Sequence, residues 1–404
     1  MLPLNDALHQ MLQQLPQPTA TKLLSLKDAA DRICAEDILS PINVPAFDNS
    51  AMDGYAVRLN DLEEGKPLKV AGKAFAGIPF QGEWETGSVV RIMTGAMIPS
   101  GTDAVIMQEN ATVHEDGRVS FTQIPKCGEN LRRKGEDIQK GDVVLHKGAK
   151  LTSVALPLLA SLGLEKVSVF KKIKVAVIAT GDELVPVGQA LGEGQIYDTN
   201  SFTVSLMLKK LGCEVIDFGI LPDDPARFEE SFIQAQQQAD MIITSGGVSV
   251  GEADFTKTVL EKLGQINFWK IAMKPGKPFA FGKLGDTWFC GLPGNPVSAL
   301  VTFYQLVQPA IAKLSGFSEW KAPQEFPATT TVSLKKRPGR LDFQRGFYHV
   351  NENGQIVVES VGFQGSHLFS AFVKSNCFIV LEKDRGNVEA GEKVTIQVFN
   401  EILG

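Results

Sequence analysis

The stretch Thr244-Ser245-Gly246-Gly247-Val248-Ser249-Val250-Gly251-Glu252-Ala253-Asp254 follows the short apolar run Met241-Ile242-Ile243 and precedes a segment in which Phe255, Val259 and Leu263 recur at four-residue spacing. That order reads as strand, loop, helix. The loop's glycines let backbone approach a ligand closely, and free N–H groups at the start of a helix suit an anion. Glu252 and Asp254 close the loop, and carboxylates beside an anion site imply a metal ion or a hydroxyl-rich ligand between them.

Outward from this loop, strand and helix patterns alternate from Ile173 onward. Strands are expected at Lys174 to Ala179, Glu214 to Phe218, Met241 to Thr244 and Ile266 to Ile271. Helices are expected at Asn200 to Leu211, Pro225 to Ala239, Phe255 to Leu263 and Pro296 to Leu314. Near-continuous apolar strands alternating with helices predict a doubly wound, mostly parallel sheet covered on both faces. Ligands of such sheets sit at the C-terminal strand ends. The loops there are Thr180-Gly181-Asp182-Glu183, Leu221-Pro222-Asp223-Asp224 and Ser245 to Asp254, and all carry carboxylates.

Before this region, Leu4, Ala7, Leu8, Met11, Leu12 and Leu15 form one helical stripe. Ser25 with Asp28 looks like a capping box opening a second helix to about Ala35. Short β-like runs at Leu68 to Val70, Val89 to Ile92 and Ala104 to Met107 lie between glycine-rich turns, and helical period returns at Ser153 to Leu162 before a strand-like Lys166 to Phe170. After a Pro-rich linker at Ser318 to Pro327, only β signals follow: Thr329 to Leu334, Phe343 to Val350, Ile356 to Val361, Cys377 to Leu381 and Lys393 to Phe399, with Asn353-Gly354 as a hairpin turn. The expected class is multidomain α/β plus β. A discontinuous N-terminal helical domain (1–46 and 146–172) carries an inserted β-rich module (47–145); a parallel α/β domain (173–316) and a small C-terminal barrel or sandwich, taken as a β-barrel (317–404), follow.

A chain of 404 residues has room for several such cores. Its formal net charge of -6 supplies no global attraction for nucleic acid or an anionic membrane, so an anionic ligand must be met locally. Five scattered cysteines without a CxxC pair fit reduced thiols and a cytoplasmic setting, no signal peptide is read at the start, and no HExxH suggests zinc.

Three short motifs compete for the loop. Gly246 and Gly251 have phosphate-loop spacing, but Glu252 stands where lysine is needed. Gly247-Val248-Ser249-Val250-Gly251 matches a GxSxG nucleophile elbow, with His349 or His367 as partners by chain order, although both fall in the separate β module. Gly192-Glu193-Gly194 follows no strand and lacks a third glycine. A second informative run, Lys270-Ile271-Ala272-Met273-Lys274-Pro275-Gly276-Lys277-Pro278-Phe279, places three lysines after a strand end in an acidic protein, which favours oxyanion binding over a solvated charge run. Cys290-Gly291-Leu292-Pro293-Gly294-Asn295-Pro296-Val297-Ser298 then opens onto a helix, with Pro296 suited to its first turn.

Together with Asp48-Asn49-Ser50-Ala51-Met52-Asp53-Gly54-Tyr55-Ala56, Thr94-Gly95-Ala96 and Gly135-Glu136-Asp137, these motifs run in the order of the molybdopterin molybdenumtransferase family, MoeA, which includes the C-terminal domain of gephyrin. The chain resembles that family along essentially its whole length. The resemblance implies insertion of molybdenum into adenylylated molybdopterin with release of AMP, a requirement for Mg²⁺, and a homodimer whose cleft is shared between subunits. It also implies the adenylyltransferase of the preceding step as a partner. It assigns Asp53, Asp182, Glu183, Asp223 and Asp254 to catalysis, Glu183 and Asp254 among them to the metal. Thr94, Asp137, Ser245, Gly246, Gly247, Ser249, Lys270, Lys274, Lys277, Pro293 and Pro296 fall to substrate, and Lys274, Lys277, Ser298, Arg345 and Ser366 to molybdate. A GxSxG hydrolase and a non-catalytic scaffold are the alternatives.

Overall fold

A computed structural model describes residues 1–246, 254–318 and 320–404, with the side chains of 254–256 outside that description. The chain forms two compact units, one of residues 1–35, 148–152 and 167–404, the other of 36–147 and 153–166.

In the larger unit, the first helix, α1 (Leu4–Gln14), buries Leu4, Ala7 and Met11, the stripe read from the sequence. The Ser25 helix does not form. Thr21–Ser25 is a strand followed by one 3-10 turn at Leu26–Asp28. The local capping contact is made, Ser25 Oγ donating to Asp28 at 2.8 Å. However, Asp31 adopts φ 60°, and the N–H groups of Cys34 and Ala35 donate to the distant carbonyls of Ala149 and Ser168. Long-range backbone partners override the local signal there.

The smaller unit centres on a four-stranded sheet of β1 (Gly54–Val57), β2 (Lys69–Ala74), β3 (Ser88–Ile92) and β4 (Ala104–Met107), in the order β2-β3-β1-β4. Strand β1 is buried throughout and pairs antiparallel with both neighbours. Only glycine fits its first position, because a Cβ on Gly54 would stand 1.9 Å from the Ile106 carbonyl oxygen. The helix expected near Ser153 is α2 (Ala155–Ser161).

The α/β part of the larger unit contains β5 (Lys174–Thr180), α3 (Asn200–Lys210), β6 (Glu214–Leu221), α4 (Pro225–Gln238), β7 (Met241–Ser245), α5 (Asp254–Leu263) and β8 (Gly264–Lys270). After the two-residue β9 (Met273–Lys274) come β10 (Pro278–Leu284) and β11 (Thr287–Leu292), two strands the sequence pattern passed over. The sheet order is β6-β5-β7-β11-β10-β8. The first three contacts are parallel and the last two antiparallel, so the sheet is mostly parallel with an antiparallel edge.

Alternation along β5 explains the two covered faces. Val175 and Val177 pack with α1, α3 and the helix after β11, whereas Ala176 and Ile178 pack with Phe228 and Phe232 of α4 and Leu260 of α5. The chain leaves β5 for β6 on one side and returns through α4 to β7 on the other. The ends of β5 and β7 therefore flank the topological switch point, where an open sheet presents a crevice.

The helix expected from Pro296 to Leu314 is α6 (Pro296–Thr302) and α7 (Gln308–Leu314) joined by a wide π turn over Phe303–Val307. Pro309 accounts for the wide turn, since it cannot donate to a carbonyl in the preceding turn.

The C-terminal strands are β12 (Glu325–Thr330), β13 (Leu341–Val350), β14 (Ile356–Ser360), β15 (Cys377–Leu381) and β16 (Lys393–Val398). Their ladders run β13-β14-β12-β16-β15 and close through β15 on β13, a five-stranded barrel. β12 begins inside the expected linker and contains Pro327, tolerated because residues 325–328 pair on one side only. Period two divides β15. Cys377, Ile379 and Leu381 fill the barrel, while Phe378 and Val380 join Phe343 in the core shared with the α/β sheet.

Candidate functional site

The acidic rim follows from where β5 and β6 stop. Gly181, at φ 140°, turns the chain after Thr180, and the Glu183 carboxylate folds back to within 2.5 Å of where a Gly181 Cβ would stand. The Asp223 N–H, after β6, donates to Asp182 Oδ1 at 3.1 Å. Partial burial first, then the charges of Asp182 and Glu183, push the Asp223 carboxyl above its ordinary value. Neighbouring like charges and partial burial each disfavour the ionised form of a carboxyl. Asp224 has a structural task, its side chain accepting from the N–H groups of Ala226 and Arg227 to cap α4.

Two glycines make the floor. Gly246, after β7, has φ 92°, and a Cβ there would lie 2.9 Å from both the carbonyl and the hydroxyl oxygen of Thr180. Its N–H donates to Leu292 at the end of β11 (3.1 Å), so three strand ends meet at this point. Ser245 and Pro293 are buried and Pro296 half-buried. Asn200 at the head of α3 donates to the Gly294 carbonyl at 2.7 Å. Gly247 and Ser249 lie outside the described residues, as does the side chain of Asp254, whose backbone opens α5.

The other edge of the sheet, after β8, is basic. Lys270 ends β8 exposed, and the loop Lys274-Pro275-Gly276-Lys277 is closed by the Ile271 N–H donating to the Lys277 carbonyl at 2.7 Å. Gly276 (φ 98°) packs on α6, where a Cβ would come within 2.5 Å of Thr302 Oγ1 and 3.5 Å of the Ser298 carbonyl. Pairing of β9 with the start of β13 sets Lys274 opposite Asp342, Nζ to Oδ2 3.4 Å.

Arg345 is fully buried, and its guanidinium donates to the carbonyls of Phe363 and Gly365, both at 3.1 Å. The next carbonyl, of Ser366, accepts from the Val297 N–H at 3.1 Å. A loop of the barrel is thereby pinned to the first turn of α6 beside the buried Ser298. The lysine loop and the loop held by Arg345 thus both lie against α6, the first through Gly276 and the second through Ser366 and Val297.

In the smaller unit, antiparallel pairing of Gly54 with Ile92 brings the residue before β1 close to the turn after β3. Asp53 Oδ1 accepts from both the backbone N–H and the hydroxyl of Thr94, each at 2.7 Å. Those bonds, backbone first, with the charge of Arg91, hold its carboxyl below the usual range. Asp137 is exposed.

Reading the sequence missed Asp342, Gln344 and Lys336, all buried. The usable signal was the run Arg340 to Arg345, in which charged and amide groups interrupt an otherwise apolar strand. The two histidines offered to a GxSxG serine lie exposed in the barrel region, His349 on β13 and His367 in the loop after Gly365. Among the described residues no three His, Cys, Asp or Glu side chains gather closely enough to hold a metal unaided, and no helix is long and apolar enough to cross a membrane.

The sequence comparisons agree along the whole chain. Residues 2–163 match the MoeA N-terminal region (domain I and II), 176–313 a probable molybdopterin binding domain, and 327–399 the MoeA C-terminal region (domain IV). A Haemophilus influenzae protein named molybdopterin molybdenumtransferase is 70% identical over 404 residues, covering 100% of both chains. The chain belongs to the molybdopterin molybdenumtransferase family. A Nostoc member is 34% identical over 97% of this chain and 92% of its own. Gephyrin of Dictyostelium discoideum is 34% identical over 98% of this chain and 62% of its own. The solved molybdopterin biosynthesis MoeA protein of Pyrococcus horikoshii OT3 superposes with a TM-score of 0.85 at 30% identity, covering 99% of this chain and 100% of that one.

Proposed function

We propose that the protein inserts molybdenum from molybdate into adenylylated molybdopterin and releases AMP, acting in the cytoplasm as a homodimer with a shared cleft. What supports this reading most is that the lysine loop, through Gly276, and the loop held by Arg345, through Ser366, both touch the helix of Ser298, in the same unit as the carboxylate-bearing strand ends. A tetrahedral dianion asks for cations and hydroxyl donors, the groups that Lys274, Lys277 and Ser298 carry.

The strand-end carboxylates suit Mg²⁺, a hard cation that takes one or two carboxylates and completes its shell with substrate phosphate oxygens. Glu183 and Asp254 would hold the ion, which would neutralise the charge of the phosphoanhydride. Asp182 and Asp223 would orient a water whose oxygen bonds to the molybdopterin-side phosphorus as the bond from that phosphorus to the bridging oxygen breaks, the bridging oxygen leaving with AMP and the water's proton passing to a carboxylate and on to solvent. The absence of side chains at Gly246 and Gly294 lets the pyrophosphate approach the backbone closely. Asp53, fixed by Thr94, and Asp137 are the acidic residues this reading assigns in the smaller unit, and the adenylyltransferase of the preceding step delivers the substrate.

The test is direct. Purified protein with adenylylated molybdopterin, Mg²⁺ and molybdate should release AMP and yield cofactor that activates a molybdoenzyme, and chelation of Mg²⁺ should stop both. AMP release no faster than that of a Glu183→Ala variant would reject the reading.

A further inference from the structure

Asp342 is a carboxylate at 3% exposure, placed on β13 where β9 pairs with it. It shares a strand face with Gly346, whose Cβ would meet Ile379 and Cys377 inside the barrel. One oxygen, Oδ2, meets Lys274 Nζ at 3.4 Å and accepts from Gln344 Nε2 at 3.3 Å. Gln344 is fixed in turn, donating to the Lys335 carbonyl at 2.9 Å. Two further buried cations feel the same carboxylate. Lys336 donates to the carbonyls of Arg337 (3.0 Å) and Arg340 (2.8 Å), and its ammonium, pushed down mainly by burial, is drawn up again by Asp342. Asp342 acts likewise on Arg345.

We propose that Asp342 is a positioning residue for oxyanion binding, holding the Lys274 ammonium at the mouth of the site. The inference rests on the molybdate reading of that site. Lys274 is half exposed on a flexible four-carbon stem. Without a fixed partner its ammonium samples many positions, whereas a rigid buried carboxylate confines it to one edge of the barrel.

The experiment measures molybdate binding to the purified full chain by equilibrium dialysis, with AMP affinity and thermal melting alongside. The variants are Asp342→Asn, Lys274→Gln and the double variant. Asp342→Asn is expected to weaken molybdate binding roughly tenfold, with AMP affinity kept, and to add nothing once Lys274 is gone. Losses that multiply in the double variant, or unchanged or tighter binding in Asp342→Asn, overturn the proposal, because a purely structural role would act in both backgrounds. Should the Asn variant not fold, Asp342→Glu in the same two backgrounds carries the same test. A wild type that binds no molybdate, or binds it equally after Lys274→Gln, overturns the site reading and Asp342's role with it.

Discussion

Gly276→Ala tests whether the lysine loop is set by its contact with α6. Two costs add at this position. The backbone lies at φ 98°, where an L side chain costs about 1–2 kcal/mol. The new methyl would also stand 2.5 Å from Thr302 Oγ1 and 2.7 Å from Met273 Cε, an overpacking of about 1–3 kcal/mol. Gly339 is the matched control, with φ 110° and nothing within 4 Å of its Cβ, so Gly339→Ala carries only the first cost. At about 2 °C per kcal/mol for a unit of this size, the control should lower the melting temperature by about 2–4 °C and Gly276→Ala by about 4–10 °C. Relief of the crowding moves the loop by about 1 Å, enough to weaken molybdate binding by about 10- to 100-fold. Calorimetry and equilibrium dialysis on the two variants check both numbers. Equal melting temperatures, or full molybdate affinity in Gly276→Ala, would refute the argument.

Two further outcomes follow from single groups. Because the folded state raises the Asp223 carboxyl, it binds that proton more readily than the unfolded chain does, so ionisation of Asp223 erodes stability as pH rises through the raised value. Asp223→Asn should therefore melt slightly higher than wild type at neutral pH and identically in acid below the ordinary carboxylate range, while AMP release falls; a lower melting temperature at neutral pH contradicts the sign. Arg345→Lys removes the fork that reaches the carbonyls of Phe363 and Gly365. It should cost about 1–3 kcal/mol, speed hydrogen exchange around residues 361–368 and weaken molybdate binding about tenfold.

How much of this was legible beforehand depends on whether burial is set locally. The α1 stripe and the strands Lys174–Thr180 and Met241–Ser245 announce themselves because their own period determines which face is covered. Pro278–Leu284 and Thr287–Leu292 did not, since their glycines and proline read as turns. Gly282 is in fact a mid-strand glycine, where a Cβ would meet the Gln265 carbonyl oxygen at 2.0 Å. The carboxylates after strand ends could be found from sequence because chain order alone puts them there. Asp342 stood in a charged run that could have drawn notice, but its burial was not legible, because it follows from pairing with Met273-Lys274, about seventy residues upstream.

That distant pairing bears on why the barrel keeps charges inside. A closed five-stranded barrel fills its interior with side chains such as Ile379, Val358 and Ile396, and nothing in its closure asks for Asp342, Gln344 or Lys336. Buried ionic groups of this kind are often no more stabilising than apolar residues of equal volume. Here every member has a partner that leads outward. Lys336 braces the turn of Arg337 to Arg340, Gln344 ties Lys335 to Asp342, and Asp342 reaches Lys274. The Phe343 face of the same strand anchors the barrel in the core beneath the α/β sheet. One strand thus fixes the barrel to the sheet with one face and meets the lysine loop with the other, which under the molybdate reading makes the barrel a structural part of the proposed oxyanion site.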